Sequence, residues 1–272
     1  MKELSLREIQ AESLLILKDV HAFCESHDIR YSLAYGSLLG AVRHKGFIPW
    51  DDDIDIIMPR PDYDKFCQAY KSDTFGIATD RSDDTLVAFT RVFEFVKTRV
   101  ETVVPSYLGE MGVWIDIFPA DSVSDDYESF ASYYEDSEVL WKKSATARHA
   151  FTRFPCKDRS ILYNVKLLVK KILYNNGKKT FKLIRQVADR ASAIPYGTTD
   201  HWSQLCCLDN GTRAYYRKEL LERFIKVPFE DAEFCIMEGY DEFLQKTYGD
   251  YMQLPPIEKQ VPKLDFTKFY YR

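Results

Sequence analysis

The chain has 272 residues, with 37 Lys and Arg against 42 Asp and Glu, a net charge of −5, and a 46% hydrophobic share that includes 18 Tyr, 18 Phe and 4 Trp. That length suits one large domain or a core with a smaller appendage, and that aromatic content excludes a disordered chain. No stretch reaches the roughly 20 apolar residues of a membrane span, and the opening MKELSLREIQAE has no apolar signal-peptide core, so the expectation is a soluble cytoplasmic protein.

Ser5 and Glu8 have capping-box spacing, and Ile9, Ile16, Val20 and Phe23 recur at helical intervals, so residues 6–26 are predicted to form an amphipathic helix ending at His27 and Asp28. Residues 31–35 read as a short strand that enters a Gly36-Ser37 turn. Residues 37–42 read as a short helix whose free amides face that turn. Gly36 lets the backbone approach a phosphate closely, and Ser37 adds a hydroxyl and helix-start amides for an anion.

Asp51-Asp52-Asp53-Ile54-Asp55 follows a Pro49-Trp50 corner and runs into Ile56 and Ile57. Strand alternation puts Asp53 and Asp55 on one face and the isoleucines in the core. Two crowded carboxylates are tolerated mainly around a cation, and their hard oxygens suit Mg²⁺. Asp51 and Asp52 are expected in a solvated loop or behind the metal ligands. Arg43 and Lys45, close in sequence to the phosphate turn, are candidates for phosphate contact, while His44 between them has no assigned role.

Beyond Pro59-Arg60-Pro61, residues 63–70 read as helical. The runs 86–89, 92–96, 102–104 and 113–118 are β-rich and predict a sheet with hairpins. Asp116 is the one acid in Trp114-Ile115-Asp116-Ile117-Phe118; a buried acid there needs a partner, which makes it the candidate third carboxylate for the metal and for deprotonating an attacking hydroxyl. Asp121, after Pro119-Ala120, reads as a helix cap.

Residues 127–190 read as helical and basic, with a turn at Asn175-Asn176-Gly177 and a helix over 178–193. Between 141 and 185 there are 13 Lys or Arg against a single acid, Asp158, so this segment carries +12 and the remainder −17. Such segregation suggests an anionic partner or membrane surface. The six cysteines form no C-x-x-C pair, which argues against a zinc site. The acidic chain has no nucleic-acid motif, so no nucleic-acid partner is expected. The fold class expected is α/β (α+β), with an α/β sheet domain over 1–125 and a mainly helical basic region with a C-terminal segment over 126–272.

The run from Ala34 to Asp55, AYGSLLGAVRHKGFIPWDDDID, closely resembles the signature of the LicD family, and residues 114–121 and 248–256 look like its later blocks. That family transfers phosphocholine to bacterial surface glycans and is related to the fukutin-type transferases. The resemblance implies a nucleotidyltransferase-like mixed-sheet core with helical additions. It also implies that Asp53 and Asp55 match the metal-binding pair and Asp116 the third carboxylate, with Mg²⁺ (or Mn²⁺) as cofactor. CDP-choline is the implied donor, and the implied acceptor is a lipid-linked glycan precursor of teichoic acid or lipopolysaccharide; the basic charge of 141–185 makes that segment the candidate for contact with such a precursor or, peripherally, with the inner membrane surface. Choline would need an aromatic pocket, for which Trp50, Tyr107, Trp114, Trp141, Trp202, Tyr215 and Tyr216 are available. A nucleotidyltransferase acting on a small molecule and a non-catalytic nucleotide- or metal-binding protein are the alternatives.

Overall fold

The computed structural model describes residues 2–156, 159–262 and 267–272. Lys157 and Asp158 of the basic segment lie outside the described residues. Helix α1 (Leu6–Ser26) starts at the predicted capping box: the Ser5 amide donates to Glu8 Oε2 (2.8 Å), and the Glu8 amide donates to Ser5 Oγ. It buries Ile9, Ile16, Leu17 and Val20 and ends at His27.

The central sheet runs β1 (Ser32–Leu33), β2 (Asp55–Pro59), β6 (Trp114–Val123), β4 (Thr90–Glu94), β3 (Phe75–Ala78). Only β2 and β6 of this path pair in parallel, and the chain between them supplies helix α3 (Arg60–Ala69) and strands β3 and β4. As a member of that parallel pair β2 is covered on both faces, which accounts for the uninterrupted Ile56-Ile57-Met58, each fully buried. The far half of β6 pairs with β7 (His201–Ser203), which pairs with β8 (Tyr216–Arg217). The mixed α/β architecture expected from the sequence is thus present.

Several local expectations are corrected. Residues 86–89 pack their side chains into the core but pair only through a bridge from Thr85 to Tyr107. The strand expected at 102–104 is β5 (Thr98–Thr102), which pairs with β11 (Thr267–Tyr271). Asp121 caps no helix. It is a buried residue of β6, and both its oxygens accept from Arg60 at 2.6 and 2.8 Å. The cap of α4 (Tyr127–Ala147) is Asp126, which accepts the Ser129 amide at 2.9 Å.

Beyond α4 come α5 (Ile161–Leu173), a turn at Asn175–Gly177 and α6 (Lys178–Ala191), which packs its apolar stripe against α4. A hairpin of β9 (Phe224–Phe229) and β10 (Ala232–Met237) docks on β1, with the Met237 amide donating to Ser32 Oγ at 2.8 Å. Helix α7 (Tyr240–Tyr248) then leads into the C-terminal segment.

Candidate active site

Helix α2 (Tyr35–His44) points its first turn at the aspartate loop. Ser37 is buried, and its Oγ accepts the Asp55 amide at 2.9 Å, which fastens the helix to the first residue of β2. Gly36 is required by close approach: a Cβ there would lie 2.3 Å from Asp51 Oδ2. Gly40 is required one turn later, where a Cβ would meet the Gly46 carbonyl at 2.4 Å.

The sheet register brings the acids together. Asp55 and Asp116 are direct partners in the parallel β2–β6 ladder, so their side chains leave the same face, and the Asp116 amide donates to the Ile54 carbonyl at 2.9 Å. Ile54 and Ile56 are fully buried, as the alternation predicted. On the other side of Asp116 stands Arg91, its register partner in β4, with Nε 2.6 Å from Oδ1 and Nη2 3.3 Å from Oδ2. Its guanidinium also lies over the Trp114 ring at 4.6 Å.

Asp51 and Asp52 are not in a fully solvated loop. Both are half-buried; the Asp51 amide donates to the Ile48 carbonyl at 2.9 Å, and Asp51's own carbonyl accepts from Gln10 Nε2 at 2.7 Å. Carboxylate oxygens of Asp51, Asp52 and Asp53 lie within 4.8 Å of one another, a spacing that can hold a metal ion. Asp53 is exposed, and its carboxylate lies among those of Asp51 and Asp52. Loss of hydration, then the charges of Asp51, Asp52 and Asp116, raises its proton affinity well above that of an ordinary carboxyl. Asp55 is raised likewise, by burial first and then by Asp53 and Asp116, with Arg91 opposing. Asp53, Asp55 and Asp116 thus share one field, whose repulsion a proton or a bound cation relieves.

A cleft of about 720 Å³ opens beside Asp51 and Asp52, with Gly36, Arg43, Trp50, Tyr248 and Tyr251 also in its lining; Asp53, Asp55 and Asp116 are not among its lining residues. Arg43 Nη1 donates to the Tyr251 carbonyl at 2.6 Å and to that of Gln253 at 3.3 Å, so it clamps the segment after α7 over the cleft. Burial, then the carboxylates of Asp55, Asp51 and Asp53, pushes the Tyr248 phenol up. Lys45 caps the far end of α2 with φ of 61°, exposed, and the structure does not bring it to the acids. Of the seven aromatics available for a head group, Trp50 lines the cleft. Trp202 and Tyr216 stack in the core, and Tyr215 stacks on His201.

The family model described as LicD/FKTN/FKRP, nucleotidyltransferase domain, matches residues 28–168, which include the whole acid cluster. Along 267 residues the chain is 33% identical to the lipopolysaccharide cholinephosphotransferase LicD of Haemophilus influenzae, covering 96% of this chain and 97% of that protein. The chain belongs to the LicD family. Uncharacterized proteins of Rickettsia typhi and Rickettsia prowazekii share shorter stretches, 46% identical over 57 residues (21% of this chain, 18% of that protein) and 51% over 41 residues (15% of each). The likeness to the Haemophilus LicD is not confined to the family span, and the two chains match over nearly their full lengths.

Among the residues that sequence reasoning passed over, Arg91 had a signal: it is the one charge between Thr90 and Val92-Phe93 in an apolar strand. Tyr248 and Tyr251 had none beyond their position in a block resembling the LicD family.

Proposed function

We propose that this LicD-family protein transfers phosphocholine from CDP-choline to a hydroxyl of a lipid-linked surface-glycan precursor, of teichoic-acid or lipopolysaccharide type, at the cytoplasmic face of the membrane, releasing CMP. The observation that carries the reading is the near full-length likeness to the Haemophilus lipopolysaccharide cholinephosphotransferase, on a chain that pairs Asp55 with Asp116 and lines a cleft with Asp51 and Asp52.

Hard carboxylate oxygens suit Mg²⁺ or Mn²⁺; Asp51, Asp52 and Asp53 have ligand spacing, while Asp55 and Asp116 are joined to Asp53 by the mutual repulsion of their charges. Asp53, Asp55 and Asp116 would hold the ion, with Asp51 and Asp52 in reach of Asp53. When bound, the metal neutralises the donor diphosphate and the charge that develops on the leaving CMP. Gly36 and Ser37 place the first turn of α2 beside the acids, where its amides can meet a phosphate. Arg43 holds the wall of the cleft, and its remaining N–H groups are available to the donor.

The attacking hydroxyl loses its proton to one of the carboxylates. Asp116 is the residue suggested by its position, but both of its oxygens already accept from Arg91, and taking a proton competes with that pair. The pair favours Asp116 as an orienting member of the set and leaves the proton to Asp55, its ladder neighbour. Trp50, Tyr248 and Tyr251 offer ring faces to the trimethylammonium group.

The family description also fits a nucleotidyltransferase that moves NMP and releases pyrophosphate. Incubating the protein with Mg²⁺ and a panel of CDP-alcohols, with and without glycan acceptor, separates the two. The proposal expects free CMP, with CDP-choline preferred and turnover accelerated by acceptor. Pyrophosphate release from CTP with a small-molecule acceptor, or full activity in an Asp53→Asn/Asp55→Asn variant, overturns it.

A further inference from the structure

The segment after α4 carries an anomaly outside the cleft. Helix α5 buries Leu167 but turns Ile161, Leu162, Val165, Val169, Ile172 and Leu173 outward; Ile161 is 85% exposed and Ile172 72%. At 100° per residue these six side chains fall within an arc of roughly 120°. Lys166 and Lys170 follow on one edge of that arc, and Lys171 lies toward the other. Neighbouring α6, by contrast, buries its stripe against α4, so the basic region of the sequence divides into a packed helix and an unpartnered one.

We propose that α5 is an interfacial helix that lays this apolar face into an anionic lipid surface. An apolar face bordered by lysines is the pattern of a helix lying in the headgroup plane, with the stems of Lys166 and Lys170 free to reach lipid phosphates. At 13 residues α5 is too short to cross a bilayer, and no helix among the described residues is long and apolar enough to do so. Charge selects the occupant. From Arg159 to Arg185 the sequence has eight Lys or Arg and no acid, while the chain as a whole is acidic. A second copy docked face to face would bring the lysines of both helices together with no carboxylate on either to offset them, whereas an anionic membrane supplies the opposite charge across the whole face.

The helix is tied to the rest of the molecule. The Lys171 ammonium donates to the Ala150 carbonyl at 2.7 Å, and Asn164 brackets the Cys156 backbone through its carbonyl (2.7 Å) and amide (3.0 Å). Ala150 belongs to the turn Arg148–Phe151, whose Arg148 Nε donates to the Pro105 carbonyl at 3.2 Å, close to the Ser106 that Arg91 holds. A lipid surface under α5 is therefore linked by short steps to the strand that carries Arg91.

The test is cosedimentation of the purified full chain with extruded vesicles, either phosphatidylcholine alone or phosphatidylcholine with about a third phosphatidylglycerol. The proposal expects binding to the anionic vesicles, weakened about tenfold or more by Ile161→Ser/Val165→Ser/Ile172→Ser and weakened by added salt. The substituted side chains are exposed, so the melting temperature of the triple variant should match that of the parent. If that variant does not fold, Lys166→Gln/Lys170→Gln serves and is expected to weaken anionic-vesicle binding severalfold. Equal binding by parent and variant, no binding to anionic vesicles, or a dimer that the triple variant dissolves overturns the proposal. Metal-dependent CMP release from soluble donor is expected unchanged in these variants, so failure of the membrane reading leaves the transferase reading standing.

Discussion

Replacing Arg91 by methionine removes the guanidinium that holds both oxygens of Asp116 while keeping most of the stem that lies over Trp114. The pair is close to buried, with the Arg91 side chain 10% and the Asp116 side chain 13% exposed. Removing one partner of a buried pair leaves an uncompensated charge and costs ~3–5 kcal/mol; residual exposure puts this pair at the lower end, about 3 kcal/mol. Here the abandoned carboxylate stands next to Asp55, so the repulsion it adds is not relieved locally. For a chain of this size that corresponds to a fall in melting temperature of roughly 6–12 °C. The assay is urea unfolding of four proteins: parent, Arg91→Met, Asp116→Asn and the double variant. If the loss comes from a stranded charge, Asp116→Asn on the Arg91→Met background restores about 2 kcal/mol, a coupling well above the scatter expected for independent sites. A double variant as unstable as the sum of the two single ones would refute the reasoning, because the loss would then be one of packing.

Other outcomes follow from the same geometry. Asp121→Asn breaks the buried bidentate pair with Arg60 far from the cleft, so it is expected to cost about 3–5 kcal/mol by chemical denaturation while leaving the KM for donor unchanged. Gly36→Ala and Gly40→Ala should separate: at Gly36 the obstructing atom is the movable end of Asp51, so the variant folds and loses metal and donor affinity by titration, whereas at Gly40 it is the Gly46 backbone carbonyl, so stability falls first. In metal-free protein, the raised carboxyls of Asp53 and Asp55 keep protons that the unfolded chain has released, so their contribution declines as pH climbs from the ordinary carboxylate range through the raised values. Melting curves in chelator should therefore drop with pH relative to the Asp53→Asn/Asp55→Asn variant, and Mg²⁺ should remove the difference; a difference that grows in the opposite direction refutes the assignment.

Local patterns were legible in the sequence where a single element determines them. The Ser5–Glu8 box fixed the start of α1, and the Asp-Ile alternation located β2 and its acidic face, because both signals are settled within a few residues. What distant elements decide was not legible. The density of charge at Asp51 and Asp52 reads as solvated until Gln10 and Gly36 are seen packed against the loop. Asp121 follows a proline and reads as a cap because the strand that buries it, and the Arg60 that neutralises it, come together only in the sheet. The β9–β10 hairpin was hidden by Pro228, which an edge strand of a two-stranded sheet tolerates, and by a turn in which Glu230 adopts a φ of 55°.

The parallel pairing of β2 with β6 has a kinetic side. Asp55 and Asp116 lie about sixty residues apart, and a parallel ladder gives no local hairpin from which to start, so this contact forms late and at high loop-closure cost. A slip of one residue would turn Asp116 to the opposite face and set Ile115 or Ile117 beside Asp55, breaking up the acid set proposed to hold a cation and leaving an acid in the core. If Asp116 is a ligand as proposed, its share of any divalent-ion affinity depends on the correct register of β2 on β6. The difference in metal binding between the parent and an Asp116→Asn variant during refolding would report when that register is reached.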